Sequence, residues 1–123
     1  MEFKNLLAYQ KAFDLAMEIF EVSKTFPKEE TYSLTNQIRR SSRSVNANMS
    51  EAFRKRRYPK YFISKLTDSD AENSETSTWL DYANACGYLT DGLHIKFTEQ
   101  TIEIGKLINF MINNPRKFGA KED

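Results

Sequence analysis

At 123 residues, with 40% hydrophobic and 28% charged residues, the chain has the size and composition of one globular domain with one core, which excludes both a disordered chain and two independent domains. Its 18 Lys and Arg against 17 Asp and Glu leave a formal net charge of +1, which removes the simplest case for nucleic-acid binding, that of a globally basic protein. Cys86 is the only cysteine, the opening Met1-Glu2-Phe3-Lys4-Asn5 lacks the basic-then-apolar pattern of a secretory leader, and no apolar stretch nears the roughly 20 residues that cross a bilayer, so a cytoplasmic protein with no membrane partner is expected.

The four glycines are scattered and no Asn-Gly or Asp-Gly is flanked by alternating apolar residues, so strands are not predicted. The first helix is predicted over residues 6–25, where Tyr9, Phe13, Ala16 and Phe20 run beside Ala12, Leu15, Ile19 and Val22 in steps of three and four. Phe26-Pro27 ends it, because proline excludes the α conformation from the residue before it and has no amide hydrogen. The second, over 32–57, carries Leu34, Ile38, Val45, Met49 and Ala52 as a heptad-like stripe. The third, over 59–87, opens on Pro59, uses Phe62, Leu66, Thr76, Leu80 and Ala83, and stops at Gly87. The fourth, over 98–113, uses Ile102, Ile104, Leu107, Ile108, Met111 and Ile112 and is ended by Asn114-Pro115; the tail 114–123 is predicted to fray. Short connections between long helices make neighbours antiparallel. The expected fold is all-α, an antiparallel up-down-up-down four-helix bundle forming a single domain over 1–123.

Charge is segregated along the chain. Residues 36–60 hold eight cations, Arg39, Arg40, Arg43, Arg54, Lys55, Arg56, Arg57 and Lys60, against Glu51 alone, a balance of +7. Residues 66–103 hold eight carboxylates against Lys96, a balance of −7. Beside its apolar stripe the second helix also carries Gln37, Ser41, Ser44, Asn48 and Glu51 in steps of four, three, four and three, and the third answers with Ser69, Glu72, Asn73, Glu75 and Thr76. Short side chains with donor and acceptor capacity suit mutual satisfaction in a restricted space. Such a stripe fixes register or oligomer state, lines a ligand or ion site, or is a solvated face. On the first reading Gln37, Ser44, Asn48, Glu51, Glu72 and Glu75 are candidates for helix pairing or an oligomer interface, with Arg39, Arg40 or Arg43 meeting Glu72 or Glu75 across a helix pair or a subunit boundary.

The order Gln37-Ile38-Arg39-Arg40-Ser41, then Ser44, Asn48 and Glu51, then Phe62, Glu75-Thr76, Trp79-Leu80 and Gly87-Tyr88 resembles the four-helix bundle proteins encoded within intervening sequences of bacterial 23S ribosomal RNA genes, a family sometimes labelled S23 ribosomal protein, over about residues 3–112. The resemblance implies an up-down-up-down bundle assembled as a homopentameric ring. It also implies kinship with the accessory variability proteins of diversity-generating retroelements, which bind nucleic acid and a reverse transcriptase. This chain departs from those relatives in two respects: Ala52 follows Glu51 where the family commonly has glycine, and its net charge is far less basic than that of the accessory proteins.

The run Arg54-Lys55-Arg56-Arg57-Tyr58-Pro59-Lys60-Tyr61 mixes cations with tyrosines, a combination that contacts phosphates and stacks on unpaired bases. Cations at a helix C-terminus also stabilise it through the macrodipole without any partner, and both readings stay open here. His94 and Cys86 lack further ligands at metal spacing, the Glu-x-x-His pairs of di-metal bundles are missing, and no nucleophile has an evident base, so neither an enzyme nor a cofactor is expected. Trp79 and Phe110 read as core or interface anchors. The leading functional expectation is a homo-oligomeric adaptor that binds structured RNA or DNA, or a nucleic-acid-handling protein such as a reverse transcriptase, through Arg39, Arg40, Arg43, Arg54, Lys55, Arg56, Arg57 and Lys60. The alternative is a protein-interaction scaffold without nucleic-acid affinity, its charged segments pairing between subunits.

Overall fold

The computed structural model of the chain describes residues 2–121, and every regular element among them is helical. Four helices carry the fold: α1 Leu7–Ser23, α2 Asn36–Arg54, α3 Pro59–Ala85 and α4 Asp91–Asn113. Helices α1 and α3 each pack against both α2 and α4, which closes a ring of four. Side-chain pairs set the directions. Between α2 and α3, Ser41 meets Thr76 and Glu51 meets Lys65; between α3 and α4, Asn73 meets Thr101 and Asp81 meets His94; between α1 and α4, Lys11 meets Glu103 and Glu18 meets Lys96. In each pair of helices one number falls as the other rises. The bundle is antiparallel, up-down-up-down, as predicted.

The core lies where the stripes converge. Ile19, Ile38, Met49, Phe62, Leu66, Leu80, Phe97, Ile104 and Ile108 are each at most 2% exposed. Burial of side chains of this kind stabilises by roughly 1.5–3 kcal/mol apiece before chain entropy is set against it. The α2–α3 seam also contains polar contacts. Ser41 and Thr76, both fully buried, share a hydroxyl hydrogen bond of 2.9 Å, and the Ser69 hydroxyl donates to the Val45 carbonyl at 2.7 Å. Across the α3–α4 seam the Asn73 amide donates to the Thr101 carbonyl at 2.8 Å. Each buried donor named here has found an acceptor, which is the condition for polar groups to be tolerated in a core.

Helix ends follow local chemistry. Pro59 opens α3, and Gly87, at φ 79°, closes it: the Gly87 amide donates to Asn84 and the Tyr88 amide to Ala83, the paired bonds of a Schellman cap. Helix α4 starts at Asp91, seven residues before the predicted start, because the Thr90 hydroxyl caps it by accepting from the Leu93 amide at 3.1 Å and Phe97 is a core residue.

Two further expectations are corrected. Regular α2 begins at Asn36, not near residue 32, because a 3-10 turn, Lys28–Glu30, and one wide π turn, Thr31–Thr35, precede it, with Ser33 outside the helical region at φ −121° and ψ −107°. The tail predicted to fray is instead folded back over 115–121. Pro115–Phe118 forms a 3-10 turn, Ala120 is buried, and the Lys121 amide donates to the Arg56 carbonyl at 3.1 Å. Residues 122 and 123 of that predicted tail lie outside the described residues.

Candidate nucleic-acid interface

The basic residues of α2 fall on a defined side of the bundle because of helical geometry. Residues 43, 47, 50 and 54 stand at steps of four, three and four and so share one line of the helix surface. Arg43, Ala47 and Arg54 are exposed and Ser50 is half-buried, so this line is the outer face of α2. Two arginines therefore stand about 16 Å apart along the axis, at 1.5 Å per residue, with only small uncharged residues between them. Arg39 and Arg40 flank the upper end of that line. Arg54, Lys55, Arg57 and Lys60 are all exposed at its lower end, where the Lys55 ammonium lies 5.5 Å from the Tyr61 ring and Tyr58 and Tyr61 meet edge to face.

At the upper end the cations contact neighbouring helices. The Arg39 Nε donates to the Ser23 hydroxyl at 2.7 Å, and its guanidinium lies 4.8 Å from the Phe20 ring of α1. The Arg43 guanidinium also lies over that ring, at 5.5 Å. Arg40 turns the opposite way, towards α3, with Glu75 at 3.4 Å and Glu72 at 3.9 Å. Burial and the neighbouring Glu75 hold the Glu72 carboxyl above its ordinary value, while Arg40 opposes that shift. Because Arg40 is about half exposed, its ion pairs contribute little to stability.

These arginines line a groove of about 560 Å³ that runs on to the Thr31–Thr35 turn, with Thr31, Tyr32, Thr35, Asn36, Ser44 and Ala47 completing it. The turn is pinned from beneath. The Glu30 carboxylate accepts from the Leu34 amide at 3.4 Å and from the Tyr88 hydroxyl at 2.9 Å, and Leu34 is buried. Giving that hydrogen bond to Glu30 raises the Tyr88 hydroxyl to about 12. With Leu34 drawn inward, Tyr32 projects outward and is 92% exposed.

Arg56 separates from the rest of its run. Its Nε donates to the Phe53 carbonyl at 3.0 Å, its Nη1 to the Phe118 carbonyl at 3.3 Å, and its guanidinium covers the Phe53 ring at 4.9 Å. It is a clasp for the C-terminal turn. Gly119, at φ 91°, is needed for its backbone conformation, and a Cβ there would lie 2.8 Å from the Arg56 Nη1 and displace the end of that side chain.

The polar residues assigned to helix pairing or an interface are placed as follows. Glu51 takes Lys65 at 2.6 Å, which holds the Glu51 carboxyl below its ordinary value and the Lys65 ammonium above its own. Glu72 and Glu75 meet Arg40 within the chain, across the α2–α3 pair. The Asn48 amide donates to the Ser44 carbonyl at 2.9 Å, so it is spent along its own helix. Gln37 borders a smaller cleft with Glu30 and Trp79. Sequence reasoning overlooked Ser42 and Asn46, both buried, and the bond from the Asn46 amide to the Tyr9 carbonyl at 3.0 Å that ties α2 to α1. It also overlooked Tyr32 as a groove wall. The cluster Thr31-Tyr32-Ser33-Leu34-Thr35 carried a hint, since hydroxyl side chains compete with a regular helix for backbone groups, as the bond from the Thr31 hydroxyl to the Lys28 carbonyl at 2.7 Å does here.

On α1, Tyr9, Phe13, Met17 and Phe20 share the side next to the arginines, and Phe13 and Met17 are about half exposed, 51% and 46%. No helix among the described residues is long and apolar enough to cross a membrane.

The model of the family described as 23S rRNA-intervening sequence protein matches residues 4–110. Among solved structures, a protein of unknown function from the S23 ribosomal protein family of Bacteroides thetaiotaomicron is 26% identical, covers 91% of this chain and 99% of its own, and superposes with a TM-score of 0.77. No curated protein matches.

Proposed function

The chain belongs to the 23S rRNA-intervening sequence protein family, and from that premise we propose that it is a non-enzymatic, homo-oligomeric adaptor that binds structured nucleic acid through the outer face of α2. The observation that carries this reading is the arginine line itself: Arg43 and Arg54 at its ends, Arg39, Arg40, Lys55, Arg57 and Lys60 beside them, and no carboxylate along it. Such a face follows a phosphate backbone although the whole chain carries a net charge of only +1, because the carboxylates of residues 66–103 lie on other elements, Glu72 and Glu75 reaching only Arg40 at its edge. The half-exposed apolar side chains of α1 support self-association, since a soluble surface rarely leaves Phe13 and Met17 side by side unpartnered. A cyclic assembly, five-fold by family resemblance, repeats the arginine face once per copy and multiplies its affinity.

A second reading, a scaffold whose partner is a protein and which has no affinity for nucleic acid, is favoured by one observation: Arg40 is already engaged by Glu72 and Glu75. Fluorescence anisotropy with a hairpin RNA and a DNA duplex, titrated at several salt concentrations, separates the two. The adaptor reading expects log K to fall linearly with log salt. Replacing Arg43, Arg54 or Arg57 by alanine should reduce that slope by roughly 0.7–0.9 per lost phosphate contact. Absence of binding to either nucleic acid at low salt overturns it.

A further inference from the structure

We propose that the groove between the Thr31–Thr35 turn and the first half of α2 holds one unpaired nucleotide, its phosphate on Arg39 and Arg43 and its base stacked on the ring of Tyr32. The inference deepens the nucleic-acid reading above and rests on it, because it names the form of nucleic acid the upper end of the face takes: a single strand, loop or splayed end in preference to a regular duplex.

Three features converge. First, Arg39 and Arg43 are pre-positioned. Phe20 lies against both guanidinium groups and Ser23 accepts from the Arg39 Nε, while among the described residues no hydrogen bond or ion pair engages the Nη groups of either side chain, and both residues line the groove. A planar fork held in this way meets two phosphate oxygens with little rotamer freedom left to lose. Secondly, Tyr32 is a large aromatic ring that lines the same groove, 92% exposed and, among the described residues, without a side-chain hydrogen bond or ring contact. Nothing in the fold requires it there: its neighbour Leu34 is the residue that anchors the turn to the core. A bare ring in one groove with cations is the pairing from which single-strand sites are built, because every base offers a π face while its phosphate offers the charge. Thirdly, the size fits. About 560 Å³ falls within the range of pockets that hold small ligands, and the Thr35 and Ser44 hydroxyls that line it supply neutral donors for a sugar or phosphate oxygen.

The duplex is disfavoured by the same geometry. Bases paired within a helix cannot turn a face to Tyr32, so only an unstacked base uses the ring and the arginines at once. An acidic peptide would engage the arginines and leave the tyrosine without a role. Arg40 is the weakest phosphate ligand of the three because Glu72 and Glu75 compete for it from α3.

The test is anisotropy with two probes of equal charge, a labelled homopyrimidine single strand and a labelled hairpin duplex, on wild type and on Tyr32→Ala, Tyr32→Trp and Arg43→Ala. Tyr32 makes no core contact, so its variants should fold as wild type, checked by circular dichroism. The proposal expects tighter single-strand than duplex binding. Tyr32→Ala should lose about 5- to 100-fold in single-strand affinity with duplex affinity unchanged, and Tyr32→Trp should retain it. Arg43→Ala should weaken both probes. Equal binding of the single strand by Tyr32→Ala and wild type, or a preference for the duplex, overturns the nucleotide site and leaves the adaptor reading standing. Failure of both probes at low salt overturns both; polyglutamate bound by wild type and not by Arg43→Ala would then assign the groove to acidic peptide.

Discussion

Replacing Arg56 by alanine tests whether position in a run of cations or tertiary contact decides what an arginine does. The side chain makes two charge-assisted bonds to main-chain carbonyls, at 3.0 Å to Phe53 and 3.3 Å to Phe118, and covers the Phe53 ring. Hydrogen bonds from charged donors contribute on the order of 1.5–3 kcal/mol each when dry. Arg56 is only half-buried, and water replaces part of what alanine removes, so the combined loss should be about 1–2 kcal/mol. For a chain of this size that corresponds to a fall in melting temperature of about 4–8 °C. Because the contact binds segment 115–121 to the bundle, hydrogen exchange should report it more directly. Protection of the Gly119 and Ala120 amides, which donate to Arg116 and Pro115, should fall roughly 5- to 30-fold while the core helices keep theirs. Exposed Arg54 and Arg57, replaced the same way, should leave both melting and exchange unchanged and lower nucleic-acid affinity. If Arg56→Ala melts and exchanges like wild type but loses affinity as Arg54→Ala does, the clasp is refuted and Arg56 is a phosphate ligand.

Gly87→Ala should cost about 1–2 kcal/mol in denaturant unfolding, because φ is 79° there and a Cβ meets nothing within 4 Å, so the left-handed backbone is the whole penalty. Thr76→Val keeps the shape but deletes the bonds to Ser41 and to the Glu72 carbonyl; about 1–2 kcal/mol should be lost, and a neutral result would mean that the buried hydroxyl pair only sets register. Glu72 gives a pH-dependent case. Its carboxyl is held above the ordinary value by burial, so the fold favours the protonated form: that contribution is complete below about pH 4.5 and is lost as pH rises through the raised value. Glu72→Gln should therefore raise the unfolding midpoint at pH 7 and give no gain at pH 4, and an unchanged difference between the two pH values would contradict the burial argument.

Much of the fold was legible because it rests on local chemistry. The stripes through Leu15 and Ile19, Ile38 and Met49, Leu66 and Leu80, and Ile104 and Ile108 identify the inward faces at steps of three and four, and each of these residues is buried. Pro59 and Gly87 bound the third helix by backbone preference alone. The meeting of an arginine with Glu72 or Glu75 was also readable from opposite charge on adjacent helices, though only the packing selected Arg40 over its neighbours. The start of α4 was missed because Thr90 works as a cap and Phe97 as a core residue on a stretch, 91–97, where Gly92, His94 and Lys96 dilute the apolar period.

The candidate site divides in the same way. That residues 36–60 are cationic belongs to the sequence, since charge is a property of each residue taken alone. Which cations face water belongs to the tertiary structure. Arg56 and Arg57 are indistinguishable neighbours in the chain, yet one is turned against a carbonyl 62 residues away and the other is exposed, because the C-terminal segment folds back beside the end of α2. Tyr32 is the converse: its sequence neighbours Thr31 and Ser33 do not say which way its ring points, and it is outside because the wide turn at Thr31–Thr35 gives the inward position to Leu34. Local spacing set the helices and their charge, while contacts between residues distant in the chain decided which of those charges, and which aromatic ring, a partner can reach.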